Sequence, residues 1–193
     1  MDFYHGSIVG GLTELIPFAK DSSNLKEACV YLTTSKQLAL HYILDEKGRP
    51  PKSPMLKIRE DGVIVFQEMF SGALEYLYKG LSGYIYHCVG TYELNKEVKV
   101  ITCATSSIPV PVKDCEYIED VYERIMEYEK YGMFVYEKYE ELPQWRHDII
   151  RRFAMIWIKD ALTNPNHPEY DLLQKRYPQY WKEAVVLYKN GLL

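Results

Sequence analysis

The spacing of apolar residues changes once along this chain of 193 residues, between residues 112 and 118, and that change limits the possible folds. Before it, short apolar runs are separated by polar or glycine-containing turns, and segment 83–89 has the composition of a strand. After it, apolar residues recur three or four positions apart, as on one side of a helix. Strands followed by helices predict an α+β fold rather than a repeating βαβ unit.

We expect residues 1–193 to form a single domain, mainly strands over 1–116 and mainly helical over 117–193. The clearest predicted strands are 29–32, 83–89 and 98–102, and the predicted helices are 36–44, 74–78, 118–132, 145–162 and 180–190. In the helix over 145–162, one apolar stripe needs a partner surface, which predicts that it packs against the sheet. The stripe consists of Ile149, Phe153, Ile156 and Trp157.

Composition excludes several classes of protein. The net charge of −4, from 23 Lys and Arg against 27 Asp and Glu, gives no basic surplus for nucleic-acid binding. No apolar run approaches the ~20 residues of a membrane span, and no signal peptide is recognisable, so we expect a cytoplasmic protein without a membrane partner. The four cysteines lack metal-binding spacing, and His87 and Cys88, adjacent on a strand, point to opposite faces. We therefore expect no metal site.

Three short segments near the beginning of the chain form a pattern. Residues 3–7 read Phe-Tyr-His-Gly-Ser, residues 30–34 read Val-Tyr-Leu-Thr-Thr, and residues 39–42 read Ala-Leu-His-Tyr. Their order, and the spacing of eleven positions from Tyr31 to Tyr42, resemble those of ADP-ribosyltransferases of the diphtheria toxin and poly(ADP-ribose) polymerase type. The resemblance covers about the first 45 residues. It implies an antiparallel split sheet and NAD as substrate. The helical C-terminal part, which the resemblance does not cover, is expected to pack on this sheet through its apolar stripe.

The resemblance assigns NAD binding to His5, Gly6, Ser7, Tyr31 and Tyr42. Physical chemistry agrees with these roles: a ring nitrogen of His5 suits a ribose hydroxyl, and the bare backbone of Gly6 can approach a planar carboxamide. One tyrosine on a strand and another on the following helix can enclose a flat ring, each stacked face contributing on the order of 1 kcal/mol. In the family this ring is nicotinamide.

The family also has a glutamate on a late strand, which stabilises the oxocarbenium-like centre as nicotinamide leaves. Glu116 lies at a suitable chain distance and is the predicted catalytic residue, although a carboxylate favoured by the dipole at a helix start is an alternative interpretation. A second candidate strand begins at residue 105 and carries Ser106 and Ser107 where the glutamate would lie. Glu137 is a third candidate.

The resulting hypothesis is a mono-ADP-ribosyltransferase that transfers ADP-ribose from NAD to an unknown protein or nucleic-acid acceptor. One alternative is a catalytically inactive module of the same fold that binds NAD or a related nucleotide. Another is an RNA 2′-phosphotransferase-like enzyme, which shares the fold but relies on basic residues. The first 112 residues contain only Arg49 and Arg59 as arginines, which disfavours the phosphotransferase.

Overall fold

A computed structural model of the chain describes residues 1–19, 27–45, 56–92, 102–164 and 166–193. Its strands are β1 (Asp2–Ser7), β2 (Glu14–Leu15), β3 (Val30–Thr33), β4 (Leu56–Ile58), β5 (Ile64–Gln67), β6 (Gly83–Val89), β7 (Cys103–Ser106), β8 (Val110–Pro111), β9 (Asp114–Ile118) and β10 (Phe134–Glu137). Its helices are α1 (Lys36–His41), α2 (Ala73–Tyr78), α3 (Val121–Lys130), α4 (Gln144–Thr163), α5 (Tyr170–Arg176) and α6 (Pro178–Lys189). The predicted α+β class is confirmed.

The chain divides into two compact units. The first contains the described residues up to 45, Leu56–Phe66 and Leu74–Tyr136, and the second contains Gln67–Ala73 and Glu137–Leu193. In the second unit, α4 packs on both α5 and α6. None of the helices in the described ranges is long and apolar enough to cross a membrane. The packing of the C-terminal helices on the sheet, as one domain, stays a prediction.

A five-stranded sheet in the order β7-β3-β1-β6-β9 forms the centre of the first unit. Its neighbouring strands are antiparallel; in β1, Tyr4 lies opposite Thr33 on one side and opposite His87 on the other. One face of the sheet contributes Phe3, Leu32, Tyr86 and other side chains to a buried apolar cluster, which also includes residues of the paired strands β2 and β8. This face is therefore closed by the β2-β8 pair.

Helices α1 and α3 lie on the opposite face. Ser35 is the N-cap of helix α1, and its hydroxyl accepts a hydrogen bond from the Leu38 amide. Asp120 is the N-cap of α3, and its carboxylate accepts a hydrogen bond from the Glu123 amide. Val121 and Ile125 of α3 are fully buried. The sheet is thus a two-sided layer, with apolar strands on one face and these two helices on the other.

The sequence located several elements well. The predicted strand 83–89 coincides with β6, and the helix expected over 74–78 is α2. Strands are not confined to residues 1–116, however, because β9 ends at Ile118 and β10 lies between helices α3 and α4. Most of the strand predicted over 98–102 lies outside the described residues.

The predicted apolar stripe on α4 was wrong at two of its four residues. The buried residues of this helix are Ile150, Ala154, Ile158 and Ala161, whereas Phe153 and Ile156 are 42% and 56% exposed. The other two residues of the predicted stripe, Ile149 and Trp157, are half-buried. Ala154 and Ala161 are completely buried, although their low hydrophobicity did not mark them in the sequence.

Candidate functional site

Gly6 lies in the middle of the sheet, directly beneath helix α1. A Cβ atom built on Gly6 would lie 2.0 Å from the carbonyl oxygen of Ala39 and 3.1 Å from Cγ1 of Ile43. Real Cβ atoms do not approach a carbonyl oxygen so closely, so the packing of α1 on β1 requires glycine here. The space above its Cα is taken by the helix, and a ligand could use only the backbone groups of Gly6.

His5 is fixed by a hydrogen bond to the neighbouring strand. Its Nδ1 lies 2.8 Å from the carbonyl oxygen of Tyr31. Because a carbonyl can only accept, Nδ1 carries the proton, and in the neutral ring Nε2 is then an acceptor. Strand alternation directs the His5 side chain to the face of Phe3 and that of Tyr31 to the helical face. The two residues therefore contact each other through the Tyr31 main chain.

Tyr31 and Tyr42 lie on the helical face of the sheet. Tyr31 is half-buried and pairs across the strands with Thr105 of β7, while Tyr42 is the residue that ends α1. Tyr42 is 50% exposed. Partial burial raises the pKa of Tyr42 above its ordinary value, and the neighbouring Cys103 and Tyr31 raise it further. The structure thus brings Gly6, Tyr31 and Tyr42 to one face of the sheet.

Ser7, the fifth residue assigned to binding, has a local structural role. It is the last residue of β1, and its hydroxyl accepts a hydrogen bond of 3.1 Å from the amide of Val9. A hydroxyl that bonds the backbone two residues further on stabilises a turn. Ser7 therefore helps the chain to leave the sheet after the motif.

Glu116 lies within strand β9, so the interpretation as a helix-start carboxylate was wrong; Asp120 has that role. Its Oε2 is 2.6 Å from Nζ of Lys36, and its Oε1 is 2.6 Å from Nη1 of Arg124. Partial burial raises the pKa of Glu116, but the hydrogen bonds and charges of the two cations outweigh it and hold the pKa below its usual range. Glu116 is therefore ionised at neutral pH and joins α1 and α3 to the edge strand.

Glu116 and Tyr31 share a face but lie on strands far apart. Between their strands come β1 and β6, and three steps of about 4.8 Å amount to about 14 Å. Beside Tyr31, the strand β7 carries Thr105, followed by Ser106, whose hydroxyl donates to the carbonyl of Ile108. The strand next to Tyr31 thus carries hydroxyls rather than a carboxylate. A catalytic role for Glu116 stays a prediction.

The third candidate, Glu137, ends strand β10 and is half-buried. Its carbonyl accepts a hydrogen bond of 3.0 Å from the Glu68 amide. The side chain of Glu137 takes no part in this bond. Glu137 belongs to the second compact unit, whereas Tyr31 belongs to the first.

A group of residues that the sequence did not single out lies at one end of the sheet. His87 has its Nε2 2.7 Å from Oδ1 of Asp2 and its Nδ1 3.1 Å from Oδ2 of Asp114. Its ring also stacks on Tyr4, with centroids 5.4 Å apart and planes 20° from parallel. Cys88, next to it, is buried on the other face, as alternation predicted. Only strand pairing brings Asp2, His87 and Asp114 together, and no sequence motif marks them.

Across the described ranges, no group of three or more His, Cys, Asp or Glu side chains is arranged to hold a metal ion. Comparison of the chain with models of protein families, with curated proteins and with solved structures gave no match in any of the three. A function for this chain must therefore be argued from its own residues.

Proposed function

We propose that this chain is an NAD-binding protein of the ADP-ribosyltransferase type, with nicotinamide held between Tyr31 and Tyr42. The observation that supports this most is that both tyrosines lie on one face of the sheet, near enough for Tyr31 to raise the pKa of Tyr42. Tyr42 is half-exposed, so part of its side chain is accessible to a ligand. A flat aromatic ligand is the group that such a pair would bind most favourably.

The backbone of Gly6 and the hydroxyl of Thr105 would complete the site on the helical face. The side chain of His5 points to the opposite face of the sheet, so it would not contact a ring held between the two tyrosines. The backbone of Gly6 could pair with the carboxamide of nicotinamide, since an N–H and a C=O complement an amide. Thr105, which lies opposite Tyr31 on β7, would add a hydroxyl on the same face of the sheet as the two tyrosines.

Within this proposal, a binding role has better support than ADP-ribosyl transfer. The transferase needs a carboxylate beside the nicotinamide ribose, where it can stabilise the positive charge that develops as the glycosidic bond breaks. Glu116 is about 14 Å from the strand of Tyr31 and is engaged by Lys36 and Arg124. A nucleotide-binding module that lacks transferase activity is therefore our first candidate.

Mono-ADP-ribosyl transfer to a protein or nucleic-acid acceptor is the second candidate. It is favoured by the position of Glu116 on a strand, on the helical face, with its pKa lowered so that it is ionised. For catalysis, the carboxylate would have to exchange at least one of its two cations for a ribose hydroxyl.

Two measurements test the proposal. The first is the melting temperature of the protein with NAD or nicotinamide at millimolar concentration, where binding to the folded state alone raises it. The second is nicotinamide release from NAD. A thermal shift without release supports the binding module, and a shift with release supports the transferase. No shift with either ligand would overturn the proposal of an NAD site.

A further inference from the structure

The imidazole of His87 connects three neighbouring strands at one end of the sheet. It belongs to β6, the carboxylate of Asp2 belongs to β1, and that of Asp114 belongs to the edge strand β9. The side chain of His87 is only 17% exposed, whereas those of Asp2 and Asp114 are 63% and 61% exposed. The ring is thus enclosed by two carboxylates that remain in contact with solvent.

The distances determine the charge of the ring. Nε2 lies 2.7 Å from Asp2 and Nδ1 lies 3.1 Å from Asp114, and an ionised carboxylate can only accept hydrogen bonds. Both nitrogens must therefore donate, which only the protonated imidazolium can do. In neutral imidazole one nitrogen presents a lone pair to a carboxylate, so one bond is replaced by repulsion.

We propose that His87 is a pH-dependent clamp, which in its protonated form ties the edge strand β9 to β1 and on deprotonation loses this link, so that β9 is held less firmly. The stack of the imidazolium on Tyr4 supports the protonated form, because a cation over an aromatic face is favourable. The proposal does not depend on NAD binding.

The two carboxylates raise the pKa of His87, and their effect outweighs that of partial burial, which lowers it. From β1 it faces Asp2 and Tyr4, and from β9 it faces Asp114; Lys113 and the terminal amino group act on Asp2. Hydrogen bonds to Asp2 and then to Asp114 raise the pKa of His87, and the bond from His87 lowers the pKa of Asp2. The contribution of His87 to stability is therefore present below the pKa of the unfolded chain, about 6.5, and is lost as pH rises through the raised value.

Amide hydrogen exchange of residues 114–118, measured from pH 6 to pH 9, tests the clamp. His87→Phe keeps a ring on Tyr4 but removes both donors, and comparison with it at each pH cancels the intrinsic dependence of exchange on pH. We expect wild-type β9 to be better protected than that of the variant at pH 6, and the excess to disappear by pH 9. Each unit by which the pKa of His87 is raised corresponds to about tenfold in protection.

If His87→Phe does not fold, Asp114→Asn and Asp2→Asn test the clamp instead. Both positions are largely exposed and tolerate an amide. In each variant the protection of the β9 amides against exchange should be lost at a lower pH than in wild type, because one of the two carboxylates that raise the pKa of His87 is gone. Asp61→Asn, at an exposed carboxylate paired with Arg59, is the control and should leave the profile unchanged. Profiles of Asp114→Asn and Asp2→Asn that coincide with wild type, or an equal shift in Asp61→Asn, would overturn the clamp.

Discussion

The missing side chain of Gly6 makes room for the carbonyl oxygen of Ala39, which would be 2.0 Å from a Cβ at that position. Gly6→Ala must therefore displace α1 from the sheet, and we expect a loss of about 1–3 kcal/mol in the free energy of unfolding, the usual cost of overpacking. Denaturant unfolding measures it. Ser7→Ala, on the same strand, is the control and should cost less, because it removes one partly exposed hydrogen bond. Equal costs would contradict the packing argument.

The proposed ring site predicts the behaviour of Tyr42. Tyr42→Ala should abolish the NAD-induced rise in melting temperature while changing the melting temperature of the free protein little, since the side chain is 50% exposed. The matched control is Tyr76→Ala on α2, where the side chain is 52% exposed and the NAD response should remain. An undiminished NAD response in Tyr42→Ala would exclude this tyrosine from the site.

Glu116→Gln separates the two candidate functions. For the transferase, we expect nicotinamide release to fall by ~10²–10³ while the NAD-induced thermal shift is kept, because the lost group acts on the transition state. For the binding module, release is absent from wild type and the variant changes only stability. Glu116→Asp, which keeps the charge on a shorter side chain, is the control for loss of the ion pairs with Lys36 and Arg124. A variant that releases nicotinamide at the wild-type rate would remove Glu116 from catalysis.

Sequence spacing predicts the local elements of the candidate site, but not the order of the strands that carry them. The strand carrying Tyr31 and the helix before Tyr42 follow from local patterns, so their common face could be expected. The chain distance to Glu116 could be read as well, but its distance in space depends on the order of five strands. That order is determined by pairing between segments up to 87 residues apart, such as Asp2 and Val89, which no local pattern specifies.

The buried His41 predicts sensitivity to acid. It packs between Tyr78 and Phe134, and burial lowers the pKa of His41 to about 3. At pH values between about 3 and 6.5 the unfolded chain, with a histidine pKa of about 6.5, binds a proton that the folded protein does not bind. The free energy of unfolding therefore falls as pH drops from about 6.5 towards 3. We expect a loss of roughly 4 kcal/mol between pH 7 and pH 3.5 from this residue.

Urea unfolding at several pH values, in wild type and in His41→Phe, measures this loss. The variant keeps an aromatic ring beside Phe134, and its carboxylates titrate as in wild type. The difference between the two curves isolates the imidazole. Parallel curves from pH 7 to pH 3.5 would mean that His41 is not the source of acid sensitivity.

The segment Gln67–Ala73 predicts that removal of the C-terminal residues destabilises the chain, because this segment belongs to the second unit although it precedes Leu74–Tyr136 of the first. Within the second unit, Phe70 contacts Tyr177, with ring centroids 6.1 Å apart, and the carboxylate of the buried Glu68 accepts from the Tyr139 amide. A protein truncated after residue 136 would lose both partners, so we expect it to unfold at a lower temperature than the whole chain. Limited proteolysis of the whole chain should likewise give no stable fragment ending near residue 115. Such a fragment would show that the sheet folds independently.

The central position of β1 has a consequence for synthesis on the ribosome. Strand β1 is synthesised before the other strands of its sheet, yet its partner along its full length is β6, about 80 residues later, and β9 completes the sheet only at Ile118. Contacts so distant in sequence form slowly and cannot form before the later strand exists. The His-Gly-Ser motif at the end of β1 must therefore remain without its β6 partner until Val89 has been added to the chain. The motif reaches its folded environment only after the strands on both sides of β1 have been made.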